Sequence, residues 1–97
     1  MISYYDIILL FMKQKHKRVL LAIFEDPVRS NIYWTDIVAL FEALGGEISL
    51  GKGSRIRVAL NGVRAVFHRP HPEKETDKGA IKSVRGFLQE AGIEPEE

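Results

Sequence analysis

The sequence predicts an α+β domain in which a three-stranded antiparallel sheet packs its one apolar face against helices. The first observation is Asn61-Gly62, which separates two runs of alternating apolar residues, Arg55–Leu60 and Val63–His68. Asn-Gly is the strongest short-range hairpin signal, because both central positions of a type I′ turn require positive φ. The second observation is helical spacing of apolar residues on both sides of this hairpin, which supplies the covering layer.

Three helices are predicted, each with its own stop signal. Asp26-Pro27 ends the first, because a residue that precedes proline is pushed away from the α region. Gly45-Gly46 stops the second, and Gly92 stops the third. The predicted ranges are 13–24, from about Lys13 to Phe24; 34–44, beginning near Trp34 or Thr35; and 77–91, with Ile81, Val84, Phe87, Leu88 and Ala91 on one stripe.

The hairpin register predicts two chemically different faces. A short strand, in which Ile48 and Leu50 alternate with Glu47 and Ser49, precedes the hairpin, and the turn 51–53 leads into it. A two-residue loop opposes Leu60 to Val63, Val58 to Ala65 and Ile56 to Phe67, which makes one face apolar. The alternate pairs are Ala59 with Arg64, Arg57 with Val66 and Arg55 with His68, so the other face carries three arginines and an imidazole.

Charge is concentrated on this hairpin. The whole chain carries a net charge of only +1, whereas residues 45–71 carry five cations against Glu47 alone. Such an asymmetry is expected of a phosphate-binding surface, and the competing interpretation is a solvated strand face that happens to be rich in arginine. The five cations are Lys52, Arg55, Arg57, Arg64 and Arg69.

Length and composition limit the number of domains and the kinds of site that the chain can have. With 97 residues we predict one domain, 1–97, divided into an apolar N-terminal extension (1–12), an additional helix and linker (13–30) and a core (31–93). The chain has no cysteine, so a cytoplasmic location is expected. Its three histidines lack the spacing of a zinc site, and we expect no cofactor. The apolar extension is too short to span a bilayer and lacks the order of a secretory signal. It is a packing extension, a dimer contact, or the product of a start codon upstream of Met12.

Specific segments of the chain resemble the HicA family, small toxins of bacterial and archaeal toxin-antitoxin pairs. The similarity covers 34–93, and its most specific parts are Gly53-Ser54, the run HRPHPEKE from His68 to Glu75 and the run QEAGI from Gln89 to Ile93. The resemblance implies a fold like that of a double-stranded-RNA-binding domain, here with an extra N-terminal helix. It also implies metal-free cleavage of mRNA and neutralisation by a HicB-like antitoxin.

One position departs from the family pattern. The family carries a histidine, taken to be catalytic, directly after Gly-Ser, and this chain has Arg55 there. Arginine does not lose its proton in proteins, so Arg55 can stabilise a phosphate but cannot act as a base. His68, directly opposite in the predicted register, is the candidate replacement, because histidine suits both base and acid roles near neutral pH. The competing interpretation of His68 is a strand-end histidine that binds backbone or RNA passively.

The predicted site therefore has two parts. The catalytic candidates are His68 and Arg55. The predicted RNA contacts are Lys52, Ser54, Arg55, Arg57, Arg64, Arg69 and His71. His71, between two prolines, also has the simpler role of shaping its loop, and His16 is expected to be a solvated surface residue.

Three functions remain open from the sequence. The first is a toxin that binds mRNA and cleaves it. The second is an RNA-binding module that has lost the family histidine and its chemistry. The third is a subunit whose basic face serves only to meet an acidic antitoxin.

Overall fold

The computed structural model describes residues 10–95. Within that range the helices are α1 (Gln14–Ile23), α2 (Trp34–Ala43) and α3 (Lys78–Glu90). The strands are β1 (Ile32–Tyr33), β2 (Glu47–Leu50), β3 (Arg55–Leu60), β4 (Val63–His68) and β5 (Glu75–Thr76). The predicted α+β class, the three helices and the three-stranded meander are confirmed, with helix limits that shift by one residue.

The main sheet has the strand order β2-β3-β4, and the register of β3 on β4 is the predicted one, from Leu60 opposite Val63 to Arg55 opposite His68. Asn61 (φ 51°) and Gly62 (φ 78°) occupy the two positive-φ positions of the turn. The helices cover the apolar face and leave the other face open. The buried side chains of the main sheet are Ile56, Val58, Leu60 and Phe67.

Four aromatic rings fill the centre of the interior. Phe67 of β4 lies 5.8 Å from Phe41, 5.7 Å from Phe87 and 5.9 Å from Trp34, centroid to centroid. These separations and the mainly edge-on angles are the favoured geometry of buried aromatic pairs. Trp34, Phe41 and Phe87 are therefore core residues, as the helical spacing predicts.

Helix α1 shares this core rather than lying beside it. Val19, Leu20 and Ile23 are buried against the other helices, and Ile23 is fully enclosed. The guanidinium of Arg85 on α3 donates to the carbonyl oxygens of Ile23 (2.8 and 2.9 Å) and Glu25 (2.7 Å) beyond the end of α1. The proposed apolar extension 1–12 lies mostly outside the described residues, although Met12 contributes to the core.

A second, two-stranded sheet is the element that the sequence pattern did not predict. β1 pairs antiparallel with β5, with Ile32 opposite Thr76 and Tyr33 opposite Glu75. The backbone N–H of Trp34 also donates to the carbonyl of Lys74 at 3.1 Å. This pairing holds the end of the β4–α3 connection that lies next to α3.

One individual expectation is wrong, and one strand residue has an exposure that its pairing does not suggest. His16 is half-buried, and its Nδ1 is enclosed without a hydrogen-bond partner among the described residues, because the histidine lies beside Met12 and Ala43 instead of facing solvent. Leu50 is 79% exposed although its partner Ile56 is buried, because β2 is an edge strand and its end is not covered by the helices.

No helix in the range 10–95 has the length and hydropathy that crossing a membrane requires.

Candidate nucleic-acid interface

The open face of the main sheet carries the predicted basic residues. Strand alternation directs Arg55, Arg57, Arg64 and His68 to the side opposite the helices, and all four side chains are exposed. Ser49 and Glu47 of β2 continue the same face, opposite Arg57 and Ala59. We call this surface the basic face and include Lys52, which lies in the turn before β3. Arg69, one residue beyond His68, alternates to the other side of β4 and lines a cleft with Tyr33 and Trp34.

The cations of the basic face have no carboxylate partners in residues 10–95. The ion pairs described there, Lys15 with Asp36 at 3.4 Å and Arg29 with Glu25 at 3.5 Å, both lie outside the sheet. Glu47 shares the face with Arg64, but β3 lies between them, which separates the two backbones by about 10 Å at ordinary strand spacing. The positive charge is therefore uncompensated within the described chain.

Arg55 and His68 form the closest kind of cross-strand pair. Antiparallel pairs alternate between hydrogen-bonded and non-hydrogen-bonded sites, and side chains approach more closely at the latter, where the Cα atoms are about 4.5 Å apart. The next position is hydrogen-bonded, since the N–H of Arg69 donates to the carbonyl of Ser54 at 2.8 Å. Arg55 and His68 consequently occupy a non-hydrogen-bonded site.

The same hydrogen bond gathers further predicted residues at one end of the sheet. It joins the turn before β3, which carries Lys52 and Ser54, to the start of the loop after β4, which carries Arg69. The turn is closed by a bond from the N–H of Arg55 to the carbonyl of Lys52 at 3.3 Å. Imidazole, guanidinium, ammonium and hydroxyl groups thus lie at one edge, where they can meet a phosphate and its neighbouring hydroxyl.

The other predicted residues are distributed differently. Arg57 and Arg64 line a shallow depression over the middle of the open face, together with Ser49, Ala59 and the exposed Val66; the carboxylate of Glu47 lines it as well. A chain of phosphates can follow this depression, because small side chains lie between the two guanidinium groups. His71 is exposed in the loop between β4 and β5, outside the strand pairs that align Arg55 with His68.

Metal ligands are sparse in the described part of the chain. No group of three or more His, Asp or Glu side chains suited to holding a metal ion occurs in residues 10–95.

Sequence reasoning missed a cleft beside this site. It lies between Tyr33 at the end of β1 and the loop 69–74, which links β4 to β5. The sequence signal for the wall at Tyr33 was weak. Tyr33 follows Ile32 in the strand β1, but two residues are too few to show the alternation that identifies a strand.

Comparison with known proteins gives one match. The family model described as HicA toxin of bacterial toxin-antitoxin matches residues 34–93, which is more than half of the chain. The matched range begins at the first residue of α2 and ends at the buried Ile93, so it includes the main sheet and α3 and leaves out α1 and β1. Searches of the curated proteins and of the solved structures returned no significant match.

Proposed function

The chain belongs to the HicA toxin family of toxin-antitoxin systems, and on that premise we propose that it binds mRNA through its basic face and cleaves it without a metal. The observation that carries the proposal is the direct opposition of His68 and Arg55 at one end of an uncompensated cationic surface. A proton acceptor beside a guanidinium is the minimum that metal-free phosphodiester cleavage requires.

The chemistry is an intramolecular transfer within the RNA. His68 takes the proton of a ribose 2′-hydroxyl, and the 2′-oxygen attacks the adjacent phosphorus. Arg55 donates hydrogen bonds to the non-bridging oxygens as negative charge builds on the phosphorane. The bond from phosphorus to the 5′-oxygen then breaks, and this oxygen takes a proton from solvent. The products are a 2′,3′-cyclic phosphate and a 5′-hydroxyl end.

Arg55 is assigned to both binding and chemistry, whereas the other cations are assigned to binding. Arg57 and Arg64 hold phosphates along the depression, while Lys52, Ser54 and Arg69 hold the phosphate next to the scissile bond. Contacts of this kind follow the backbone and carry little sequence information. His71, on the loop that follows, contacts the strand as it leaves the sheet.

A second function is favoured by one specific observation, the presence of Arg55 directly after Gly53-Ser54. The family carries its histidine there. A protein that kept the cationic face and lost this proton carrier would bind RNA or an antitoxin without cleaving RNA.

A HicB-like antitoxin is the proposed protein partner. The basic face offers it cations without carboxylate partners and, among them, Val66 with 55% of its surface exposed. A partner that covers this face must present carboxylates to the arginines, because burying unpaired guanidinium groups is costly.

The decisive experiment incubates the purified protein with a labelled single-stranded RNA in EDTA and follows 2′,3′-cyclic phosphate ends. His68→Ala should abolish cleavage and leave RNA affinity nearly unchanged, whereas Arg55→Ala should lower both. Lys82→Ala, an exposed cation on α3, is the control and should behave as wild type. Equal cleavage by wild type and His68→Ala would remove His68 from the mechanism, and absence of cleavage in both would favour the binding-only function.

A further inference from the structure

An open cleft of about 550 Å³ lies at the end of the basic face where β4 leaves the sheet. Its volume is within the range of small-molecule sites in proteins, about 300–1,000 Å³. One wall is the segment that begins α2, and the other is the proline-containing loop after β4. The residues that matter for its chemistry are Tyr33, Trp34, Arg69, Pro70, Pro72 and Lys74.

The part of the chain that precedes the family match builds one wall of this cleft. Tyr33 is the last residue before the matched range, and it is fixed by its pairing with Glu75 in the two-stranded sheet. The adjacent hydrogen bond from Trp34 N–H to the Lys74 carbonyl anchors the far end of the loop. Arg69 anchors the near end through Ser54. The cleft is thus held at both ends by backbone hydrogen bonds.

The wall residues suit a flat, uncharged, aromatic group. Tyr33 is 52% exposed, and two prolines of the same cleft add further apolar surface. The nearby charges are of both signs, because Glu73 lines the cleft with Arg69 and Lys74, and Glu75 lies opposite Tyr33. A phosphate gains little in such a place, whereas a nucleobase gains a stacking partner.

Trp34, one of the cleft-lining residues, carries a hydrogen-bond donor without a partner among the described residues. Its indole is only 4% exposed, and Nε1 has no hydrogen-bond partner among the described residues. Buried indole N–H groups usually have a partner. The indole therefore lies beneath the cleft with its donor unsatisfied within the described chain.

Arg69 connects the cleft to the basic face, because it lines the cleft and directly follows His68. We propose that Tyr33 stacks on an unpaired base of the bound RNA, next to the phosphate at His68; this rests on the function proposed above. The site selects single-stranded RNA, since bases in a duplex are already stacked and paired.

The test compares two oligonucleotides of equal phosphate number, single-stranded oligo(A) and an abasic tetrahydrofuran-spacer chain, by fluorescence polarisation. Tyr33→Ala should weaken oligo(A) binding by about 5- to 100-fold, the range typical of losing one aromatic stacking partner, and leave abasic binding unchanged. Tyr33→Phe should retain wild-type binding. Leu21→Ala removes an equally exposed apolar side chain, 51% exposed on α1, and should change neither affinity.

A second arm uses adenosine, which has no phosphate and therefore does not depend on the basic face. Trp34 is the only tryptophan of the chain, so its fluorescence reports on the cleft. Adenosine should alter this emission in wild type and Tyr33→Phe and not in Tyr33→Ala. If wild type binds RNA and Tyr33→Ala binds oligo(A) equally well, the stacking site is overturned and the proposed function stands. If adenosine responds as expected and RNA does not bind, the stacking site stands and the proposed function fails. A protein that responds to neither ligand overturns both.

Discussion

The side-chain amide of Asn61 donates to the backbone carbonyl of Ala91 at 2.9 Å, which ties the turn of the β3–β4 hairpin to the end of α3. The same residue holds φ at 51°, in the left-handed region. Asn61 therefore acts twice, by permitting the tight turn and by satisfying one of the carbonyls that the end of a helix leaves without an intrahelical partner.

Substitutions at Asn61 separate these two contributions. Asn61→Gly keeps the turn conformation and loses the hydrogen bond, so the free energy of unfolding should fall by about 1 kcal/mol. Asn61→Ala also places a Cβ in the left-handed region, and the total loss should reach about 2–3 kcal/mol. Urea unfolding of both variants measures this. Wild-type stability of Asn61→Gly would mean that the bond to Ala91 contributes nothing.

Arg85 should be a major stabiliser of the packing of α1. Arg85→Ala removes three hydrogen bonds to the carbonyls of Ile23 and Glu25, and also the guanidinium that lies 5.7 Å from the centroid of the Phe24 ring. We expect the free energy of unfolding to fall by about 2–3 kcal/mol, since hydrogen bonds from a charged donor contribute more than neutral ones. Lys82→Ala on the same helix should change it by less than about 0.5 kcal/mol. Similar unfolding midpoints for the two variants would contradict this role.

RNA affinity should fall steeply with salt, because the basic face acts through phosphates. For a single strand, each neutralised phosphate contributes a slope of about 0.7 log units of affinity per log unit of salt. Arg57→Ala should therefore lower the slope by about this amount, and Lys82→Ala should leave it unchanged. Fluorescence polarisation over a salt series gives both values. A wild-type affinity that does not respond to salt would rule out phosphate binding by this face.

The antitoxin should compete for the same surface. Reversing charge at Arg57 or Arg64 should weaken the complex with a co-expressed HicB-like partner by at least about tenfold, because like charges across an interface repel. Size-exclusion chromatography followed by titration detects the loss. Lys82→Glu is the matched reversal outside the face. Complexes of equal strength for all three variants would place the antitoxin elsewhere.

Arg55→His introduces the histidine that the family resemblance predicts after Gly-Ser. If the scaffold still aligns a phosphate there, cleavage in EDTA should rise by about a hundredfold, within the range that a positioned general acid or base contributes. Arg57→His introduces the same side chain two residues along on the same face and should not raise cleavage. An Arg55→His protein that binds RNA and remains no more active than wild type would show that the position no longer supports catalysis.

Most of the architecture could be predicted from local chemistry. Asn61-Gly62 determines the turn, and with a two-residue loop the turn determines every pair down to Arg55 opposite His68. The helices follow from apolar spacing and from stop signals such as Gly92, which adopts φ 80°. These signals lie within a few residues of the structure that they specify, so one chain suffices to interpret them.

The features missed by sequence reasoning depend on contacts between distant segments. β1 and β5 are two residues each and form only because Tyr33 meets Glu75, about forty positions away. The hydrogen bond of Asn61 spans 30 residues, and those of Arg85 to Ile23 span 62. Leu50 occupies an apolar position in the alternating pattern of its strand and is nevertheless exposed, because its exposure depends on where the covering helices end.

The sequence by itself determined the sheet, its basic face and the opposition of Arg55 to His68, because turn geometry and a period of two leave only one register. Only the tertiary structure decided that α1 joins the core through Arg85 and that Tyr33 and Arg69 line one cleft. Neither arrangement leaves a periodic pattern in the sequence, because each arises from side chains that come together only after the chain has folded.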